Sequence, residues 1–555
     1  MMLLDCPKET KNKESGECVM QQFYYGGDIL TMEKEGEILE AVLVEEDRIK
    51  MAGDFEKVKT FLREDAQWIN LQGKTLMPAF IDSHSHISTA IQMSQAADLS
   101  QCESFDEIIC TLKQYQQKHE IGKSGIIIGF GYDHNFLPEG KQPDKEYLNQ
   151  VSEEIPIYIS HASGHIGCAN DAALTLAGIT KDTKDPDGGK IGRVAASGEP
   201  NGYLEEAAMM LLQKAIAPRI RFDLKEGLKK TQELYLKNGI ITVQDGAASA
   251  ESFAMLRKFD EDEELLLDVV LYPLLQNKGR DLFLNFPQYV EKYHGNLKLG
   301  GYKAVLDGSP QGRSAWLTKP YENSDGYCAY PWFSNKETEA FMETAIEDSR
   351  QILVHCNGDA AGDQFINAYK KALEKSKNPD KDKLRPVMIH CQTVREDQLD
   401  EMAETGIIPS IFVGHVYYWG EVHRQNLGED RAVRISPCKS AFSRNMKVTF
   451  HQDTPVTKPD MLHSVWCGVN RMTRSGNILG SEQCCTVYEA LQAVTINGAY
   501  AYFEEKEKGS IKEGKRADFV ILDKNPMKTE QKMLKEIQVL ETIKAGKSVW
   551  KKEDR

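Results

Sequence analysis

The 555-residue sequence contains no apolar run long enough to span a bilayer, which excludes a helical membrane protein. Residues 1–19 offer only four apolar residues before a charged polar stretch, so no secretory leader is expected there. The twelve cysteines include no C-x-x-C pair. That argues against a zinc ribbon or dithiol centre and fits reduced thiols in a cytosol. Positive charge is also in short supply: 68 Lys and Arg stand against 84 Asp and Glu, a net charge of −16. A surface dominated by carboxylates repels phosphate, so nucleic acid and anionic membranes are poor partners, and a small neutral or cationic molecule is the expected ligand. No P-loop, G-x-S-x-G or G-x-G-x-x-G is present to signal nucleotide, serine-hydrolase or dinucleotide chemistry.

The chain does have ample material for a large core, with 41% hydrophobic residues, and its length implies more than one structural unit. Short alternating strand patterns occur near the start, in "QFYYGGDILTM" and "EAVLVEEDRIKMAG", and again at the end, in "GSIKEGKRADFVILDKNP" and "ETIKAGKSVW". Residues 20–77 and 506–555 are therefore expected to form one composite β domain. Between them, eight apolar runs begin at "MPAFIDSHSHI" and continue at 239–246, 265–275, 300–309, 350–359, 385–394, 406–420 and 446–455. Helical stretches such as "KETEAFMETAIEDS" and "REDQLDEMAETG" separate them. An α/β fold with a (β/α)8 barrel over 78–505 is the economical reading, with a doubly wound open sheet as the alternative. Residues 88–235 are too long for a single connection and carry apolar pieces of their own, so an inserted subdomain is expected.

Side chains alternate across a strand, so His84 and His86 in "DSHSH" share a face and Ser85 takes the other. An H-x-H alone is a modest signal. Lys303, His355, His390 and Asp453, however, sit at the C-terminal ends of later strands, and in a parallel barrel those ends converge on one mouth. Imidazoles and a carboxylate suit zinc or a similar divalent ion that activates water, with Asp453 as both ligand and general base. Lys303 could equally be a salt-bridged lysine.

These segments resemble the amidohydrolase superfamily and, within it, the family 3 branch of YtcJ-like and N-substituted formamide deformylase-like proteins. The resemblance covers almost the whole chain and rests on "MPAFIDSHSHI", "GYKAVLDGSPQG", "VHCNGDAA", "IHCQTV" and "HQDTPV". It implies a distorted TIM barrel, a small β-sandwich built from both chain ends, and one or two divalent metals held by His84, His86, His355, His390 and Asp453. Lys303 is carboxylated in some such sites to bridge two ions. A homodimer is also implied. His451 and Gln452 depart from the family pattern, where many relatives have Gly-Ser.

Four residues are candidate substrate contacts. His165, in "SGHIGCAN", is read as a substrate or oxyanion contact, against a loop histidine satisfied by backbone. Arg313 is read as a carboxylate clamp or a loop brace. His451 is a substrate contact or structural, and His415 belongs with Tyr417, Tyr418 and Trp419 to an apolar wall or to plain core. The expected activity is metal-dependent hydrolysis of a non-peptide C–N bond, with a linear amide such as an N-substituted formamide foremost. A cyclic amide, carbamate or heterocyclic amine, or a non-catalytic regulatory protein on the same fold, is the alternative.

Overall fold

The structure is a computed structural model that describes residues 20–186 and 188–553; the leader read at 1–19 lies outside them. Eight parallel strands organise the middle of the chain: β1 (Phe80–Ile81), β2 (Ile240–Ala248), β3 (Asp268–Pro273), β4 (Leu297–Leu299 and Gly301–Val305), β5 (Gln351–Cys356), β6 (Val387–His390), β7 (Ile408–Ile411) and β8 (Thr449–Phe450). Each falls within one of the eight apolar runs or overlaps one end of it. The intervening helices follow local signals. Asn335–Glu347 opens on a Ser334–Glu337 capping box, and Glu396–Thr405 closes at Gly406 in the left-handed region.

In place of the expected closed barrel the strands form two separate arcs. β1 to β3 and the first segment of β4 form a four-stranded sheet; the second segment of β4 and β5 to β8 form a five-stranded one. The arcs divide within β4 at Gly300, where a side chain would press to 2.7 Å from the Tyr272 ring. Between β8 and β1 there is no ladder, because each is two residues long and the chain then turns to present its functional side chains. Three bonds span the gap instead: Ser83 Oγ donates to the Phe450 carbonyl (3.2 Å), the Asp453 amide to that of His84 (3.2 Å), and the His86 amide to that of Thr454 (2.8 Å). Ile81 and Val270 of one arc pack with Leu353, Ile389 and Ile408 of the other in one buried cluster, so the arcs face each other.

Both chain ends meet in one eight-stranded sheet, in which Thr75–Pro78 pairs antiparallel with Phe519–Leu522. Its strands follow a single hydrogen-bonded path. Gln21–Leu30 bends at a register break after Tyr25, so its first half pairs with Gln67–Asn70 and its second with Thr75–Pro78. This sheet is tied to the arcs by buried ion pairs around Asp268, at the start of β3, with Lys508 (2.6 Å), Lys544 (2.6 Å) and Arg516 (2.9 Å).

The insertion carries its own six-stranded sheet, from Ala97–Asp98 to Pro200–Glu206, and two apolar clusters of its own. Among the described residues no helix is long and apolar enough to cross a membrane, and the ten described cysteines are free.

Candidate metal centre

His84 and His86 lie past the end of β1, on a bend rather than on the expected strand, and still share a target. Ser85 turns away to exchange bonds with the Gln244 backbone, while His84 and His86 both point to Asp453: their Nε2 atoms lie 3.4 and 3.2 Å from its Oδ1. His390, at the end of β6, places Nε2 3.9 Å from Asp453 Oδ2 and 3.2 Å from His355 Nδ1, at the end of β5. Lys303 on β4 puts Nζ 3.4 Å from His84 Nε2. The six side chains expected at strand ends therefore form one cluster. Ligand atoms of His84, His390 and Asp453 lie within 4.8 Å of one another. His390 and Asp453 hold positive φ values of 74° and 55°, a cost that non-glycine residues bear where surrounding structure fixes them.

Electrostatics favour ligation. Burial holds His84, His355 and His390 well below the ordinary imidazole pKa, with the Lys303 charge adding to this for His84 and His355, so these rings are neutral donors. Burial likewise brings the Lys303 amine down to about 7, against the opposing pull of Asp453. Asp453 stays well below the usual carboxylate range; burial works against this and is outweighed by the adjacent His86 imidazole and the charges of His390 and His84.

Several polar atoms here are buried without a hydrogen bond: His390 Nδ1, Asp453 Oδ1 and both ring nitrogens of His451. Such atoms are rare in folded proteins and call for an explanation. A set of imidazoles and a carboxylate with spare lone pairs, and no thiolate, fits a divalent cation. The His451 ring stands 5.1 Å from that of His84 and 5.2 Å from that of His390.

The Amidohydrolase family profile matches residues 67–550. This chain belongs to the amidohydrolase family. It is 28% identical to the N-substituted formamide deformylase of Arthrobacter pascens over 535 residues, 94% of this chain and 96% of that protein. It is also 27% identical to the Bacillus subtilis protein YtcJ over 548 residues, 96% of this chain and all of that one. An uncharacterized metal-dependent hydrolase of Pyrococcus horikoshii OT3 shares the fold, with a TM-score of 0.72 at 23% identity over 92% of this chain and 99% of that one.

Residues around the amidohydrolase centre sort into those facing it and those engaged elsewhere. His165, from the insertion, lies with its ring 6.0 Å from that of His355, and its Nδ1 is 3.0 Å from Glu206. Burial lowers the His165 pKa and Glu206 more than reverses this. Arg313 donates from Nε to Asn426 (2.8 Å), a contact that braces the loop after β4. His415 is buried, with Nδ1 3.1 Å from His423 Nε2 and its ring on Trp419. The apolar wall expected at 417–419 is not formed: Trp419 is buried and donates to Asp133, and Tyr417 packs on His463 and Trp466.

Sequence reasoning missed Gln244. Its Oε1 lies 2.6 Å from His84 Nδ1 and its Nε2 donates to the Ser83 carbonyl and Tyr502 Oη, which orients the amide so that Nδ1 carries the proton and His84 Nε2 is left free. A glutamine inside the apolar run "GIITVQDG" was the available signal. A second group was missed as well. Asp133, His134 and His161 also bring three ligand atoms within 4.8 Å of one another. There Asp133 receives Trp419 Nε1 (2.6 Å), the Asn135 amide (2.9 Å) and His161 Nε2 (3.2 Å), while His161 Nδ1 accepts from the Ser163 amide (3.0 Å).

Proposed function

We propose that this amidohydrolase is a metal-dependent hydrolase of a non-peptide C–N bond, with a linear amide such as an N-substituted formamide as substrate. The observation that carries this reading is the six-residue cluster with its buried, unpaired donor atoms. His84, His86, His355, His390 and Asp453 would hold one or two divalent ions, zinc first among them. Lys303, neutral for much of the time near pH 7, is suited to carboxylation as a bridge. When bound, the ion supplies a Lewis acid for the carbonyl and acidifies water.

The chain's own residues then divide the work. Asp453 takes the proton of the attacking water at its carboxylate and returns it to the departing nitrogen, which otherwise would leave as an unstable anion. His165, whose proton Glu206 helps to hold, donates to the amide oxygen as negative charge builds there. His451 lines the same space and contacts the substrate, whereas Arg313 and His415 support the walls. We read the two arcs as one distorted barrel, and the terminal sheet (20–77 with 506–555) and the insertion at 88–235 as its attached units. A cytosolic homodimer completes the proposal.

The test uses purified protein loaded separately with zinc, manganese and iron, and a panel of N-substituted formamides and other amides. Amine and formate released in equal amounts is the expected result. Binding of these compounds by metal-loaded protein without amine release would overturn the reading in favour of a regulatory protein.

A further inference from the structure

Beside His165, on the side away from His355, the surface opens into a cavity of about 580 Å3. Its walls come from two places: Met209 and Met210, at the start of the helix Ala207–Ile216, and the coil Tyr330, Pro331, Trp332 and Phe333. Three of these large apolar side chains are substantially exposed: Met210 at 65%, Tyr330 at 47% and Trp332 at 37%. Single exposed hydrophobes need no explanation, but several converging on one concavity mark a binding surface. The coil is not adrift, since the Trp332 amide donates to the Leu306 carbonyl at 2.9 Å, one residue past the end of β4.

Polar groups in this cavity are few and already occupied. His165 and Glu206 hold each other, and Gln213 donates to Tyr158 Oη at 3.1 Å. An apolar group entering here would meet thioether and aromatic surface, whereas a charged one would have to compete with the His165–Glu206 pair. Continuity with the centre identifies the occupant. His165 lines the cavity, and its ring lies 6.0 Å from that of His355 and 6.1 Å from that of Trp332, so one imidazole borders both the metal cluster and the cleft. Glu206 fixes the inner end with a strained backbone (φ 47°, ψ −117°), a geometry kept where surrounding contacts demand it.

We propose that this cleft seats a bulky, uncharged apolar group carried by the substrate, with Met210 and Trp332 as its specificity residues. The inference rests on the hydrolase reading above for the term "substrate". The cleft's preference for an apolar group is testable without turnover.

The experiment compares N-(cyclohexylmethyl)formamide with N-methylformamide and N-(2-ammonioethyl)formamide on metal-loaded protein. The cyclohexylmethyl compound is expected to show a kcat/KM about 30-fold or more above either, from burial of its ring. Trp332→Ala and Met210→Ser should each cut that ratio severalfold, and Trp332→Phe should restore most of it. In parallel, calorimetry measures binding of N-(cyclohexylmethyl)acetamide against N-methylacetamide to the same proteins. Preferential binding that Trp332→Ala abolishes, with no formamide turned over, would retain the cleft and overturn the hydrolase reading. Turnover with a flat ratio, a preference untouched by both substitutions, or no binding preference in the absence of turnover would each overturn the cleft.

Discussion

Two histidine–carboxylate groups in this molecule have closely similar spacing and opposite hydrogen-bond states. In both, three ligand atoms fall within 4.8 Å of one another. At Asp133, His134 and His161 the buried lone pairs and protons answer one another: Trp419, Asn135, Ser163 and His161 complete the set, and none of the trio's atoms is among the buried unpaired ones. At His84, His390 and Asp453, with His451 beside them, four ring or carboxylate atoms have no partner. Proximity of ligand-type atoms is therefore weak evidence for a metal, while unsatisfied atoms in a dry site are strong evidence, because each costs about 1–3 kcal/mol unless something answers it. The first group is a strut that pins the insertion to the helix His415–Leu427 through Trp419, and the second is a socket.

The widest separation between the two is expected from a pair of substitutions. His390→Ala should reduce bound metal, read by elemental analysis, and lower amide hydrolysis about 1000-fold or more. Asp133→Ala should leave the metal-to-protein ratio unchanged and instead lower unfolding free energy by about 2–4 kcal/mol in denaturant titration, since it strands a buried indole N–H and an imidazole. Metal lost on Asp133→Ala in a folded protein would erase the distinction.

A smaller effect tests what supports the socket. Gln244→Ala removes the group that fixes the His84 tautomer, and about a 10- to 100-fold loss of metal affinity is expected by competition with a chelator. The smallest concerns Lys303. Its folded pKa of about 7 lies below its ordinary 10.5, so between those values the unfolded chain binds more protons and stability of the metal-free protein rises with pH. Below about 7 both states are protonated and the penalty is complete. Lys303→Met should flatten this rise, of order 1–2 kcal/mol after allowance for relaxation, in thermal melts across that window.

The socket was legible in the sequence for a geometric reason: its members close apolar runs, and parallel strands bring those closing residues to one end however far apart they lie in the chain. The H-x-H spacing that brings His84 and His86 to one place is equally local, although a bend and not a strand carries it. What the sequence concealed depends on meetings between segments with no shared period. The strut joins Asp133 to Trp419, and the apolar cleft joins a helix start to a coil at 330–333. The aromatic run at 417–419 took the core reading over the wall, and Trp419 turned inward to a carboxylate that no pattern announced. The register break in Gln21–Leu30, which lets one strand of the terminal sheet pair with two neighbours in turn, is likewise invisible in composition.

That sheet has a consequence for the order of assembly. Thr75–Pro78 leads directly into β1 and the two histidines, yet its antiparallel neighbour, Phe519–Leu522, is among the last strands of the chain. During synthesis the strand that anchors the first ligands waits with an open edge until all of the chain between these two strands has emerged. A chain shortened by its final few dozen residues would therefore be expected to lose order first around His84 and His86, at the opposite extreme of its own sequence from the cut.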